Sequence, residues 1–411
     1  MKPISFGETL VTITALAGSQ PGQNRLVYTP AWVRAQTALI RWGQDAGLQA
    51  TVDDFGTVYL DLIGRDPSTV IATGSHMDTV VDGGRFDGLY GVLGGFQALT
   101  TLQQRFGQPD HTLRLISFSE EEGSRFPVTF SGSKHYIHQA VDGTLTDATG
   151  TTLATAQHAA VTQLLALPNV HHARPALPQS FTELHIEQGP RLEQARRQIG
   201  LVTGLVGQRR LTITLQGVAN HAGTTPMAQR HDALQAAVWL INRLRTLAAT
   251  LSPDLTFTVG QLDVTPNTPN VIPGRVSFTV DFRHADNGVL TRFEDLIHQE
   301  AHQVPDATLT LAINRWVQDD PVVFDSALLA TNQRLADRLG LTSQQLVSGA
   351  GHDSGIMSRV TPTAMIFVPS VAGISHAPAE FTAPADLDAG IHLLTASLQA
   401  QAYVTQEVTV R

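Results

Sequence analysis

Four short apolar runs, each ending abruptly in glycine, serine or a charged cluster, constrain this chain more than any other feature. Val70-Ile71-Ala72-Thr73 runs into Gly74-Ser75-His76, and Leu113 to Phe118 runs into Ser119-Glu120-Glu121-Glu122-Gly123. Phe181 to Ile186 carries His185, and Ala364-Met365-Ile366-Phe367-Val368 precedes a loop ending in Ser375-His376. A strand with one wet face alternates apolar and polar residues. A run that is apolar throughout suits a strand buried on both faces, as in a mostly parallel sheet covered by helices. The expected fold is therefore α/β, with chemistry just beyond the carboxyl ends of the strands, where the polar clusters fall.

From about Leu211 to Asn314 the pattern changes. Leu211, Ile213 and Leu215 alternate with polar residues, as do Leu255, Phe257 and Val259, then Val276, Phe278, Val280 and Phe282, then Leu309 and Leu311. These read as half-buried strands. Between the first two strands Leu234, Ala237, Val238, Ile241 and Leu244 stand at helical spacing. Between the last two, Val289, Phe293, Leu296, Ile297, Ala301 and Val304 do the same. The order β-α-β-β-α-β is that of a ferredoxin-like unit. The expected organisation is a discontinuous catalytic domain, residues 1–209 and 325–411, with an inserted domain at 210–324. The proline-rich segment Leu167 to Gln179 reads as a surface loop.

Composition removes whole classes of function. The chain has 27 basic and 36 acidic side chains, a net charge of −9, so it offers no basic surface to nucleic acid or anionic lipid. It has no cysteine, which excludes disulfides, a thiolate nucleophile and cysteine-bound zinc. Any metal must then sit on His, Asp and Glu. Met1 to Gly18 lacks the apolar run of a secretory signal, and Gly88 to Gln104 is too broken by glycines and polar residues to span a bilayer. A cytoplasmic protein is expected.

Within Gly74-Ser75-His76-Met77-Asp78, His76 and Asp78 stand two apart in an extended segment, so their side chains point the same way. That suits a metal-binding His76 whose ring is oriented by Asp78. Glu121 and Glu122, adjacent at a strand end, should face opposite ways, one toward a metal and one toward the attacking water. His185 and His376 are each unremarkable alone. With His76, Asp87 and Glu122 they make two His-plus-carboxylate sets sharing Asp87, the composition of a two-metal hydrolytic site with ions roughly 3.5–4 Å apart. His171 and His172 are read as surface residues.

In these segments the chain resembles the carbamoylase branch of the di-metal aminoacylase and carboxypeptidase superfamily, which holds allantoate amidohydrolases, N-carbamoyl-L-amino-acid hydrolases and β-ureidopropionases. The likeness runs from about residue 25 to 400. In the related peptidases a carboxylate stands where this chain has His185, so Glu183-Leu184-His185-Ile186-Glu187-Gln188-Gly189 marks the carbamoylase branch. The resemblance implies two divalent ions, zinc or manganese, with cobalt and nickel also compatible. It places His76 and His185 on one ion, Glu122 and His376 on the other, and Asp87 between them, with Glu121 as general base.

In the inserted domain, Asn220-His221-Ala222-Gly223 resembles the segment whose His stabilises the tetrahedral intermediate. Asn270-Val271-Ile272-Pro273-Gly274 and Asp281-Phe282-Arg283-His284 resemble those whose Asn and Arg hold the substrate carboxylate. Gln188 and Gln208 are further substrate-contact candidates. His352, in Gly349-Ala350-Gly351-His352-Asp353, has no assigned role beyond shaping a turn.

The implied reaction hydrolyses a ureido group to ammonia and a carbamate, which loses carbon dioxide. The implied assembly is a homodimer paired through the inserted domains, which close over the substrate. Glu120 to Lys134, with its Phe126-Pro127 step and Gly132-Ser133-Lys134 end, points to allantoate ahead of an N-carbamoyl-L-amino acid or β-ureidopropionate. Ser131 departs from that pattern, which has a larger aromatic there. The rival readings are a di-metal peptidase or aminoacylase acting on an amide, and a non-catalytic binding protein on the same fold.

Overall fold

The computed structural model describes residues 4–18 and 22–404. Met1 to Pro3, the start of the N-terminal segment read above, lie outside the described residues. The described residues divide into two compact units, one falling within residues 1–203 and 323–411 and one of residues 204–322.

The first unit is built on a ten-stranded mixed sheet. The four apolar runs form its adjacent central strands: Thr363–Val368, Ser180–Ile186, Asp66–His76 and His111–Phe118. All three pairings among them are parallel, so their carboxyl ends lie at one edge. Alternate residues enter cores on opposite sides of the sheet. Leu113 and Leu115 join one apolar cluster, while Ile116 and Phe118 join another containing Tyr59, Tyr136 and Phe181. Both faces are covered, which is why these strands read as unbroken apolar runs. Antiparallel strands flank this centre, Val58–Leu62 beside His111–Phe118 and Ile199–Leu205 beside Thr363–Val368.

Gly88 to Gln104, too polar for a bilayer, supplies most of the helix Leu89–Phe106, which packs on this sheet with Leu89, Val92, Leu93, Phe96 and Leu99 in its core. No described helix is long and apolar enough to cross a membrane. The segment expected as a loop, Leu167 to Gln179, contains a short strand, Val170–His172, paired in parallel with Gln49–Val52. Three residues are too few to show a period, and only the sheet edge beside them supplies the ladder. His171 and His172 are exposed.

The second unit has the ferredoxin-like order. Its antiparallel sheet runs Thr256–Thr265, Arg275–His284, Gly207–Gln216, Thr310–Asp319. The helices Ala233–Leu251 and Asn287–Ala301 bury Leu240, Leu244, Phe293 and Ile297 against Leu211, Ile213, Phe278 and Phe282. Asp232 and Asp286 start these helices by accepting backbone N–H groups of the first turn. Outside the sheet, Asn220–His221 pairs with Val271–Ile272.

Candidate metal centre

Parallel pairing places the sequence candidates of the first unit side by side. Thr73 and Thr182 are in register on neighbouring strands. Three residues further on stand His76 and His185, with rings 6.1 Å apart and 29° from parallel. The next strand on one side leads into Glu121 and Glu122. The strand on the other leads into the loop of His376, and Asp87 stands just before the helix Leu89–Phe106.

Asp87 is the hub. One oxygen, Oδ1, lies 3.2 Å from His185 Nε2 and 3.7 Å from His76 Nε2, and the other lies 3.0 Å from His376 Nε2. Glu122 stands 3.5 Å from His376 Nε2 and Glu121 stands 3.6 Å from His76 Nε2. His76, Asp87 and His185 can offer one ligand atom each within 4.8 Å of one another, and so can Asp87, Glu122 and His376. The two sets share Asp87.

The rings are prepared for a cation. His76 Nδ1 faces the Asp78 carbonyl at 3.0 Å and His185 Nδ1 faces the Ile186 carbonyl at 2.9 Å. A carbonyl only accepts, so each Nδ1 carries a proton and each ring turns its Nε2 to the carboxylates. Gly88 N–H donates to His185 Nε2 at 3.1 Å, which also favours a lone pair there. In the chain alone, burial opposes protonation of His185, but the hydrogen bond and charge of Asp87 outweigh it and lift the imidazole to about 9. The two influences on Nε2 conflict, and a cation at that position removes the conflict. Gly88 has a positive φ of 61°, and a Cβ there would lie 2.4 Å from the His76 ring.

The carboxylates carry the same message. Burial, then the charges of Glu122, Asp353, Asp78 and Asp87, push Glu121 well above the usual carboxylate range. Burial, then Asp87 and Asp78, do the same to Glu122. Asp87 is held well below that range: burial opposes ionisation, but its bonds to His185 and His376 prevail. Glu122 Oε1 is buried with no hydrogen-bond partner. Clustered acids, imidazole lone pairs and an orphaned buried oxygen fit divalent cations bound by N and O atoms.

Two expectations need correction. Asp78 meets the His76 ring through its backbone carbonyl, while its carboxylate lies 3.7 Å from Nδ1. That carboxylate instead accepts the backbone N–H groups of Glu121 and Glu122 at 3.0 and 3.1 Å, holding one strand end to the next. The two-residue rule fails because the strand ends at His76. Glu121 and Glu122 do not face opposite ways either, since both bring an oxygen within 4.8 Å of His76 and of each other. Their strand ends at Phe118, and Glu120 at φ 51° breaks the pleat before them.

Gln188 departs from a simple substrate contact. Its amide nitrogen donates to Asp87 at 2.9 Å and to Ser375 Oγ at 3.2 Å. His352 is buried edge-on against His185, 4.6 Å between rings, with Nε2 3.1 Å from Ser348 Oγ. Burial pushes its pKa well down, so it is a neutral packing partner of His185.

Several buried groups escaped the sequence reading. Glu183 accepts Ser75 Oγ at 2.7 Å and Ser354 N–H at 2.9 Å, and its signal was a charge inside an apolar strand two residues before His185. Glu380 accepts the backbone N–H groups of Phe86 and Asp87, and its signal was a carboxylate four residues after His376.

In the second unit, His221 Nδ1 accepts the N–H groups of Gly223 at 3.0 Å and Thr224 at 3.2 Å. The ring proton is therefore on Nε2, and the exposed ring is an N–H donor. Asn270 is adjacent, because its carbonyl accepts Ala222 N–H and the next residue, Val271, pairs with His221. Arg283 and Gln208 share the open face of the sheet and converge on Asp281, at 3.0 and 2.6 Å, together with Arg210 at 2.8 Å. Burial opposes its ionisation, but these partners hold Asp281 below the usual range.

A two-unit fold with His and carboxylate groups gathered at the strand ends suits metal-assisted hydrolysis, and the comparisons with known proteins give the family. The family model "Peptidase family M20/M25/M40" matches residues 72–400, and the chain belongs to that family. It is 39% identical to an allantoate amidohydrolase of Bacillus subtilis over 94% of each chain. It is 33% identical to an N-carbamoyl-L-amino-acid amidohydrolase of Paenarthrobacter aurescens, over 94% of this chain and 95% of that one. The crystal structure of a hydantoinase/carbamoylase family amidase from Burkholderia multivorans matches it with a TM-score of 0.89, at 34% identity and 97% coverage of both chains. The chain is an amidohydrolase acting on C–N bonds, with residues suited to hold metal.

Proposed function

We propose that this chain hydrolyses a ureido group of allantoate, or of a closely similar ureido acid, with two divalent ions. The observation that carries the reaction class is the convergence of His76, His185 and His376 on the two oxygens of Asp87. His76, His185 and Asp87 would hold one ion, and Glu122, His376 and Asp87 the other, with zinc or manganese best suited to the donors. When bound, such ions polarise the ureido carbonyl and make water acidic enough to attack near neutral pH.

The chain's own residues supply the rest. Glu121, 3.6 Å from His76 Nε2, takes the proton of the attacking water and delivers it to the departing ammonia. His221 offers the Nε2–H set by Gly223 and Thr224 to the developing oxyanion. Asn270 and Arg283 bind the substrate carboxylate, Arg283 being held in place by Asp281 and Asp281 by Gln208. The two units act as catalytic domain and lid, and the lids pair two chains into a homodimer.

Allantoate leads because identity to its amidohydrolase exceeds identity to the N-carbamoyl-L-amino-acid enzyme, 39% against 33%, over the same share of this chain. The decisive test competes allantoate against N-carbamoyl-L-methionine on metal-reconstituted protein, scored by ammonia release. A higher kcat/KM for the carbamoyl amino acid transfers the assignment to that substrate. A preference for a dipeptide rejects ureido chemistry altogether.

A further inference from the structure

The candidate ligands Asp87 and His376 lie on separate loops, and a ring of hydrogen bonds joins those loops beneath the site. Glu380 is 2% exposed. Its Oε1 accepts the backbone N–H groups of Phe86 at 2.8 Å and Asp87 at 3.1 Å. Its Oε2 accepts the hydroxyl of Ser375, the residue before His376, at 2.7 Å. Ser375 Oγ in turn accepts from the Gln188 amide, whose nitrogen also donates to Asp87 Oδ2. The path runs from the Asp87 backbone through Glu380, Ser375 and Gln188 back to the Asp87 carboxylate. It ties both the backbone and the side chain of Asp87 to the loop of His376.

We propose that Glu380 is a positioning residue, which orients Asp87 and His376 as a pair so that both ions can share one carboxylate. This rests on the two-metal reading given above. A carboxylate suits the task because three donors converge on two oxygens, and it offers acceptors only. Gly84 has been left without a side chain at this point, since a Cβ on it would lie 2.1 Å from the Glu380 carboxylate. Groups that orient metal ligands in this way typically change metal affinity by about 10–100-fold when removed.

The test measures Zn²⁺ and Mn²⁺ affinity by competition with a chelating dye on the full-length protein, and kcat and KM separately at saturating metal. E380A should bind metal at least tenfold more weakly, keep KM within about twofold, and lose kcat. G84A should reproduce this by displacing the carboxylate. E380Q, which keeps one oxygen for the two backbone amides, should fall between E380A and the wild type. Cooperative unfolding of each variant separates this from general destabilisation, which would lower the melting temperature and leave metal affinity alone. If E380A does not fold, S375A and E380Q decide in the same assay: weakened metal binding in both supports the role. Wild-type metal affinity in the folded variants overturns it. A wild-type chain that takes up neither ion refutes the metal reading first, and this inference with it.

Discussion

Replacing Glu121 by Gln is the sharpest probe of the proposed chemistry, because it removes a proton acceptor and almost nothing else. The two side chains have the same size, and the backbone N–H that anchors residue 121 to Asp78 at 3.0 Å is untouched. The sets that would hold the ions, His76 with Asp87 and His185, and Asp87 with Glu122 and His376, do not need Glu121. Metal content should therefore stay at the wild-type level. A positioned general base contributes about 10²–10⁴ in rate, which corresponds to roughly 3–5 kcal/mol of barrier at about 1.4 kcal/mol per decade. Initial rates of ammonia release should fall by that factor, with KM little changed.

Glu122→Gln should do the reverse. It replaces an oxygen 3.5 Å from His376 Nε2, so it should weaken metal binding and recover much of its rate in excess metal. Identical metal content and identical residual activity in the two variants would refute the division of labour.

Three further outcomes are expected. Arg283→Ala and Asn270→Ala should each lower kcat/KM at least tenfold on a carboxylate-bearing substrate, since a charge-assisted contact contributes about 1.5–3 kcal/mol; unchanged kinetics rule out the assignment. Mixing inactive His221→Ala and Glu121→Gln protomers should restore activity if the dimer shares its sites, and no recovery after verified subunit exchange would place each site within one chain. Burial raises Asp53 to about 7 against the opposing hydrogen bonds of Tyr59, Phe55 and Thr57. The folded chain then holds a proton that the unfolded chain loses near 3.8, so stability should fall as pH rises from about 4 to about 7 and level off above. This slope, up to roughly 4 kcal/mol in all, should vanish in Asp53→Asn; chemical denaturation across that range checks it, and an unaltered slope refutes it.

The sequence by itself determined the fold class and pointed to the residue types of the site. Unbroken apolar runs mean two covered faces, and the runs ending at His76, Phe118, Ile186 and Val368 are the adjacent parallel strands at the centre of the larger sheet. Alternation at Phe278, Val280 and Phe282 means one covered face, and helices cover it. Periodicity reports burial, and burial is what these elements share. It cannot report direction once a strand has ended. Asp78, Glu121 and Glu122 all lie just past strand ends, so the rule of alternate faces misplaced them, and only the backbone turns decided where their carboxylates go.

Partners distant in sequence were equally hidden. The carboxylate of Glu380 was visible, but the amides of Phe86 and Asp87 that it binds stand 294 and 293 residues away. Backbone N–H groups are the same in every residue, so no side-chain pattern can mark which of them a buried carboxylate will meet. Strand register brought His76 level with His185, and the loops that follow the strands carried Asp87, Glu122 and His376 to the same point. Those loops take their course from tertiary packing, because the hydrogen bonds that hold them are made between segments that share no local pattern.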